Sequence, residues 1–156
     1  MTPSDLDYVL ALEHREEHKA FIGQWPGEEH ERSMARADRE HLIITRADDH
    51  ASLGYCICYD VAARGFGIYI KRIALDVKST GAGRLALAEL AARAFDERRV
   101  DMVTLAVRKD NLRAQRAYRA AGFVELIQSP AERREMLNTV DRFFDDCLVM
   151  VLRRPA

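Results

Sequence analysis

Apolar residues recur three and four positions apart near the start of the chain and then give way to a polar stretch. The apolar positions between residues 6 and 12 predict a first helix, which Ser4 and Asp5 can cap. The dipeptide Pro26-Gly27 interrupts the region that follows. Residues 28–39 carry a thin apolar stripe among many charges, and this pattern predicts a short second helix.

The pattern then changes to runs of β-branched and aromatic residues. Residues 41–45, 53–59 and 66–75 predict three strands, and the turn-forming residues 48–50 predict that the first two form an antiparallel hairpin. Helical spacing returns over residues 84–98, where apolar side chains from Leu87 onward occupy positions i, i+3, i+4, i+7 and i+8. This stripe predicts a helix that packs against a sheet.

The second half of the chain continues the alternation of strand and helix. Residues 102–107 form a nearly continuous apolar run, which is typical of a strand covered on both faces. Asn111 is placed to cap a helix over residues 112–121, and Gly122 supplies a left-handed residue to end it. Further strands are predicted at residues 123–127 and 147–152, with a charged, poorly patterned stretch between them. The whole chain, residues 1–156, is predicted to form a single α/β domain.

Composition narrows the class of protein. The 156 residues are 48% hydrophobic and 31% charged, and the formal net charge of −1 gives no basic field to support nucleic-acid binding. Cys56, Cys58 and Cys147 lack zinc-site spacing, so we expect reduced thiols in a cytoplasmic protein. Because no apolar run approaches about 18 residues and no signal-peptide pattern is present, we expect neither a membrane partner nor secretion.

The segment of residues 78–84 lies between a predicted strand and a predicted helix and contains Gly81 and Gly83. Two glycines one residue apart let consecutive backbone N–H groups converge on an anion, and the helix that follows adds its own free N–H groups. The segment matches neither the Walker A loop nor the full dinucleotide fingerprint, which disfavours ATP and NAD. It therefore predicts a pyrophosphate cradle, with an ordinary tight turn as the alternative.

A second motif follows at residues 111–123, where the sequence fits the pattern Asn-x-x-Ala-x-x-x-Tyr-x-x-x-Gly-Phe. With the Gly-x-Gly cradle before it, the segment of residues 53–123 resembles the GCN5-related N-acetyltransferase (GNAT) superfamily. The resemblance implies an α/β (α+β) fold whose mixed, largely antiparallel sheet is flanked by helices and splays at the acetyl-CoA site. Residues 21–25, 71–73 and 81–87 resemble the branch of ribosomal-protein-alanine acetyltransferases.

The resemblance implies that acetyl-CoA is the co-substrate and that no metal takes part. Backbone N–H groups at residues 74–77 would bind the pantetheine chain and stabilise the oxyanion, and residues 78–84 would hold the pyrophosphate. Tyr118 would protonate the leaving thiolate, unless it is an ordinary core tyrosine. The implied donor-binding residues are Ala74, Leu75, Asp76, Val77, Lys78, Ser79, Thr80, Gly81, Ala82, Gly83, Arg84, Asn111, Ala114 and Tyr118.

Two positions depart from the family pattern. Lys78 stands where relatives have Gln or Arg, so it keeps a positive charge but loses a planar set of donors. Tyr69 stands where relatives often place a strand glutamate that deprotonates the amine. A neutral amine population could replace that base, or one of His41, Glu40, Asp60 and Asp76. All five histidines, which are His14, His18, His30, His41 and His50, lie in polar sequence and are expected at the surface.

The acceptor is expected to be a primary amine, on a protein N-terminus or a small molecule. By resemblance, Phe21, Trp25 and Tyr69 would line its pocket, although the first two could instead anchor a helix. The acidic residues 28, 29 and 31 could attract a cationic amine or form a solvated surface.

The resulting prediction is an N-acetyltransferase in which the amine attacks acetyl-CoA directly in a ternary complex. Two alternatives stay open at this point: an acyl-CoA-binding sensor without turnover and a nucleotide-binding domain. A homodimer is also possible, because dimers are common among relatives.

Overall fold

The computed structural model describes residues 1–76, 81–139 and 146–155. For residues 137–139 it describes the backbone alone. The strands are β1 Arg39–Thr45, β2 Ser52–Asp60, β3 Ile68–Leu75, β4 Met102–Arg108, β5 Val124–Glu125 and β6 Cys147–Arg153. The α-helices are α1 Leu6–Glu13, α2 Glu16–Lys19, α3 Gly27–Met34, α4 Ala82–Asp96, α5 Leu112–Ala120 and α6 Pro130–Thr139. None of the described helices is both long and apolar enough to span a bilayer.

The strands form one sheet in the order β1-β2-β3-β4-β6-β5. β3 and β4 pair in parallel, with Ile68 opposite Val103 and Ile70 opposite Leu105. β6 pairs antiparallel with both β4 and β5. A short turn joins β1 to β2, which a parallel pair could not use. The prediction of a mixed, largely antiparallel sheet is therefore confirmed. The splay predicted at the acetyl-CoA site concerns residues beyond the paired stretch of β3 and β4, so it stays a prediction.

The chain forms two compact units. The first contains Met1–Cys58 and Arg72–Ala82, and the second contains Tyr59–Lys71 and Gly83–Ala156. Because the chain crosses between the units within β2 and within β3, both strands contribute to each unit.

The first unit has a core built on α1 and β2. Val9 and Leu12 of α1 are fully buried, as the helical spacing predicts, and so is Ile57 of β2. Cys56 and Cys58 point to the same face of β2, with their sulfur atoms 3.5 Å apart, and both are free thiols. Burial of these apolar side chains is the main favourable term for this unit.

The second unit has a core to which both α4 and β4 contribute buried side chains. Leu87, Ala91 and Phe95 of α4 are buried, which confirms the predicted stripe. On β4, Val103, Thr104 and Leu105 are all buried, as expected for a strand covered on both faces. The buried hydroxyl of Thr104 donates a hydrogen bond to the carbonyl oxygen of residue 66 at 2.9 Å.

Most boundaries of the predicted elements agree with the structure to within two residues, and the differences concern helix length, strand length and unpredicted helices. α3 ends at Met34 rather than at residue 39, because residues 36–39 turn into β1 instead. β5 contains two residues rather than the five of the predicted strand. The charged, poorly patterned stretch, for which the sequence predicted no element, contains α6, and α2 was likewise not predicted.

α6 and α1 differ in how their first turns are capped. Ser129 and Glu132 form a capping box at α6, in which each side chain accepts a hydrogen bond from the other's backbone N–H at 3.3 and 2.8 Å. With Pro130 between them, this signal was present in the sequence. The expected cap of α1 is wrong, because the Asp5 carboxylate accepts from the N–H of Thr2 instead.

The expectation that every histidine lies at the surface is wrong for His30 and His41, which are buried. His30 and Ser33 are one turn apart on α3 and face inward together, and Nε2 of His41 lies 2.9 Å from Oγ of Ser33. Burial, together with nearby positive charges including Arg39, lowers the pKa of His41 to about 4. His41 is therefore neutral in the folded protein at neutral pH.

This neutral histidine predicts a loss of stability in mild acid. Its unfolded form binds a proton near pH 6.5 and its folded form only near pH 4, so stability falls as the pH falls between these values. Between pH 6.5 and pH 5 the loss should be about 2 kcal/mol in the free energy of unfolding by urea. His41→Gln, which can keep the contact with Ser33, should flatten this dependence. Equal pH slopes for the two proteins would contradict the assignment.

Candidate active site

The end of β3 is the segment expected to bind the pantetheine chain. The N–H of Asp76 donates to the carbonyl oxygen of Leu53 on β2 at 2.7 Å. Because backbone groups alternate between the two edges of a strand, Ala74 and Asp76 face β2, whereas Leu75 faces the opposite edge. A Cβ on Gly54 would lie 2.1 Å from the carbonyl oxygen of Ala74, which agrees with this orientation. Of the described candidates on this strand, Leu75 is thus the one whose N–H points away from β2.

The predicted pyrophosphate cradle is only partly described. Val77, Lys78, Ser79 and Thr80 lie outside the described residues. Gly81 has a φ of +77°, and α4 begins at the next residue, Ala82. A Cβ on Gly81 would meet no atom within 4 Å, so backbone conformation rather than crowding requires glycine there. Gly83 is half-buried in the first turn of α4, and Arg84 beside it is exposed.

Asp76 is engaged by an ion pair. Nη1 of Arg15, in the link between α1 and α2, donates to Oδ1 of Asp76. Burial and the charge of Asp76 raise the pKa of the nearby Tyr8 phenol. The carboxylate therefore attaches the N-terminal helices to the end of β3, and this ion pair gives Asp76 a structural role.

The other suggested bases are placed as follows. His41 is buried and neutral, as described above. Oδ1 of Asp60 accepts a hydrogen bond from the N–H of Ala62 at 3.1 Å, and the residue is exposed at the end of β2. Glu40 is half-buried on β1. None of these positions identifies a base.

The segment around Tyr118 folds as the second motif predicts. Oδ1 of Asn111 accepts a hydrogen bond from the N–H of Ala114 at 3.1 Å, which confirms the cap of α5. Gly122 has a φ of +93° and ends the helix. Between them Tyr118 is half-buried, with its ring 6.0 Å from that of Phe123. The cap and the final glycine thus fix the helical turn that carries the tyrosine.

Gln115 holds the start of α5 against the end of β4. Its buried side-chain amide donates to the carbonyl oxygens of Arg108 and Lys109 at 3.1 and 2.8 Å. The sequence analysis did not select this residue, because it lies at an unassigned position of the motif.

Tyr69 is a buried, neutral phenol. It lies opposite Thr104 in the sheet, and its ring is 6.4 Å from that of Tyr59. Burial raises its pKa well above the ordinary value, and the nearby Cys147 and Tyr118 contribute in the same direction. Tyr69 and Tyr118 therefore lie in one neighbourhood of the second unit, and Tyr69 cannot act as a base at neutral pH.

The first unit contains a buried charge cluster that the sequence analysis did not anticipate. Oε1 of Glu13 accepts a hydrogen bond from Nη1 of Arg72 at 2.7 Å and another from the hydroxyl of Tyr55. Nε2 of His30 lies 3.4 Å from the same oxygen. Burial raises the pKa of Glu13, but these donors and the charge of Arg72 outweigh it, so the net pKa lies below the usual range.

The side chain of Trp25 packs against this cluster. The indole ring lies 4.0 Å from the guanidinium carbon of Arg72 and meets the His30 ring edge-on at 5.2 Å. Phe21, the other predicted acceptor residue, is 43% exposed. Of the acidic residues on α3, Glu29 pairs with Arg32, whereas residues 28 and 31 are exposed.

Comparison with known proteins identifies the family. Residues 8–123 match the family model described as the acetyltransferase (GNAT) family. The chain therefore belongs to the GNAT family of acetyltransferases. The predicted enzyme class, an acetyl-CoA-dependent N-acyltransferase, is confirmed. A comparison with curated protein sequences found no match.

Solved structures share the fold at low identity. Spermidine N-acetyltransferase from Vibrio cholerae, in complex with CoA and spermine, is 13% identical, with a TM-score of 0.76 over 98% of this chain and 92% of that chain. Aminoglycoside acetyltransferase AAC(6')-Ib, in complex with coenzyme A and kanamycin, is 19% identical, with a TM-score of 0.73 over 99% and 92%. At such identities the likeness establishes the fold.

Two glycines with the same backbone strain allow a matched test of the cradle. Gly81 and Gly65 have φ values of +77° and +81°, and a Cβ on either would meet no atom within 4 Å. Alanine at either position should cost about 1–2 kcal/mol of stability. Only Gly81→Ala should weaken coenzyme A binding in calorimetry, by about tenfold or more, because it redirects N–H groups that bind a charged ligand. An equal loss of affinity in Gly65→Ala would contradict the cradle.

Proposed function

We propose that this protein transfers an acetyl group from acetyl-CoA to a primary amine by direct attack in a ternary complex. The observation that carries the proposal is the family match over residues 8–123, which includes both motifs. Each motif also has the local form that the chemistry needs. A left-handed glycine precedes α4, and a capped, glycine-terminated α5 holds Tyr118.

The donor binds mainly through backbone groups. The N–H of Leu75, which points away from β2, donates to the pantetheine chain. The first N–H groups of α4, with the loop that includes Gly81, receive the pyrophosphate, because a helix N-terminus favours an anion. The exposed Arg84 adds a positive charge to this turn. The amine lone pair forms the new C–N bond while the C–S bond breaks.

Tyr118 acts as the general acid. The thiolate that leaves the acetyl group has a pKa of about 8.5 and can accept a proton from a phenol of pKa about 10 that is held in line. Asn111 and Ala114, which form the cap of the same helix, contact the pantetheine chain. Among the described residues, none of the carboxylates considered above is identified as a replacement for the strand glutamate at Tyr69. The acceptor therefore attacks from its neutral population and then loses its proton to solvent.

The acceptor is a small molecule with several amines. Among solved structures of the same fold, one holds spermine and another kanamycin. Trp25, Phe21 and the exposed acidic residues 28 and 31 are available to such a cation in the first unit. A protein N-terminus, as in the ribosomal-protein-alanine branch, is the alternative acceptor. The enzyme works as a single domain, in the cytoplasm, alone or as a homodimer.

An acyl-CoA-binding protein without turnover is a second candidate. The specific observation in its favour is the neutral, buried Tyr69 at the position where relatives often have a base. Such a protein would keep the donor site and lack acetyl transfer to every amine.

Direct binding and transfer separate these candidates. Calorimetry should detect coenzyme A and acetyl-CoA, whereas ATP and NAD should neither bind nor raise the melting temperature. Thiol release should then follow with spermine or kanamycin, and more slowly with a peptide that begins with alanine. Binding without thiol release from any of these amines would support the sensor. Absence of heat from both coenzyme A forms would overturn both candidates.

The role of Tyr118 predicts a selective defect. Tyr118→Phe should lower kcat by about 10²-fold, because the thiolate leaves without its proton, and should change the Kd of coenzyme A less than threefold. Tyr69→Phe is the matched control, since its hydroxyl stays neutral and should not shape the pH dependence of kcat/KM. Equal losses of kcat in both variants would assign Tyr118 a packing role.

A further inference from the structure

Three side chains of the first unit are stacked in layers. The carboxylate of Glu13 lies at the bottom, the guanidinium of Arg72 bonds to it at 2.7 Å, and the indole of Trp25 covers that guanidinium at 4.0 Å. Glu13 and Arg72 are 0% and 7% exposed, whereas Trp25 is half-buried. Both charged side chains are thus buried, whereas Trp25 above them remains partly exposed to solvent.

The loop that carries Trp25 takes its shape from this stack. Residues 23–26 have no regular secondary structure. Nε2 of Gln24 donates to the backbone carbonyl oxygen of Glu13 at 2.9 Å, and a Cβ on Gly23 would lie 3.1 Å from Nη2 of Arg72. The position of the indole therefore depends on Arg72, which depends in turn on Glu13.

The charge balance beneath the ring decides what the ring can bind. An ammonium group is attracted to the face of an indole, but an unpaired guanidinium on the other face would repel it. The carboxylate of Glu13 cancels that repulsion. Within the described part of the chain, Arg72 and His30 are the ring and cation contacts of Trp25. Trp25 is only half-buried, so part of the indole is within reach of a ligand from solvent.

We propose that Glu13 and Arg72 are positioning residues for a cationic acceptor: they hold the partly exposed indole of Trp25 over a compensated ion pair, so that the indole binds an ammonium group. This inference rests on the proposed function and specifies its acceptor as an alkylammonium compound. Glu13 and Arg72 act only through Trp25 and do not touch the acceptor.

A charge series tests the proposal with spermine as the probe and the fluorescence of Trp25, the single tryptophan of the chain, as the signal. Glu13→Gln keeps Oε1 as an acceptor, and its amide replaces Oε2, which has no hydrogen-bond partner among the described residues. With Arg72 uncompensated, spermine should bind about tenfold more weakly. The double variant Glu13→Gln with Arg72→Met removes both charges and should recover binding to within about threefold of the wild type.

Kinetics provide a second measurement that does not depend on the stability of Glu13→Gln. Arg72→Lys keeps the charge pair but loses the planar contact with the indole. It should raise the KM for spermine about tenfold, leave kcat within twofold, and lower the fluorescence anisotropy of Trp25. Coenzyme A affinity, measured by calorimetry, should stay unchanged in every variant.

The outcomes separate this inference from the proposed function. Spermine binding that is equal in Glu13→Gln and wild type, or equally weak in Glu13→Gln and the double variant, would overturn the charge argument. An unchanged KM in Arg72→Lys would overturn the positioning role. Loss of acetyl transfer in the wild type with spermine binding intact would count against the proposed function alone, because the fluorescence titration requires no turnover.

Discussion

The buried carboxylate of Glu13 is the constraint on which the first unit depends. It receives hydrogen bonds from Tyr55 of β2 and Arg72 of β3, and His30 of α3 lies beside it. Side chains from α1, α3, β2 and β3 thus surround one carboxylate, which is fully buried. Removing one partner of such a pair is expected to cost about 3–5 kcal/mol, whereas an apolar replacement of the whole pair can be neutral. The cluster is therefore better explained by what it positions than by stability.

The parts that the sequence predicted well depend on local interactions. Asn111 caps a helix three residues ahead and Gly122 ends it, so a short window contains both the signal and its partner. Gly81, which has a positive φ directly before α4, was likewise predictable from its immediate sequence neighbours. The capping box at Ser129 belongs to this class too, and α6 could have been predicted from it. Its helix was missed because charged residues obscured the apolar spacing.

The parts that the sequence did not predict depend on distant partners. Glu13 and Arg72 are 59 residues apart, and nothing near Glu13 distinguishes it from the solvated glutamates that follow it. His30 and His41 share polar sequence with exposed histidines, yet they face inward against a neighbour from another element. Burial of a polar residue is a property of the assembled fold. A pattern of hydrophobicity therefore predicts such a residue at the surface even where the fold buries it.

The acceptor proposed above explains why the indole of Trp25 would be better supported by a compensated ion pair than by a bare charge. An amine acceptor is mostly protonated at neutral pH, yet it must lose its proton before it can attack a thioester. A bare carboxylate would bind the ammonium form more strongly, but it would also raise the pKa of the amine and so oppose deprotonation. An aromatic face above the compensated pair of Glu13 and Arg72 attracts the cation with a weaker, shorter-ranged force. A site that stabilises the ammonium form only modestly would therefore favour the neutral amine that reacts.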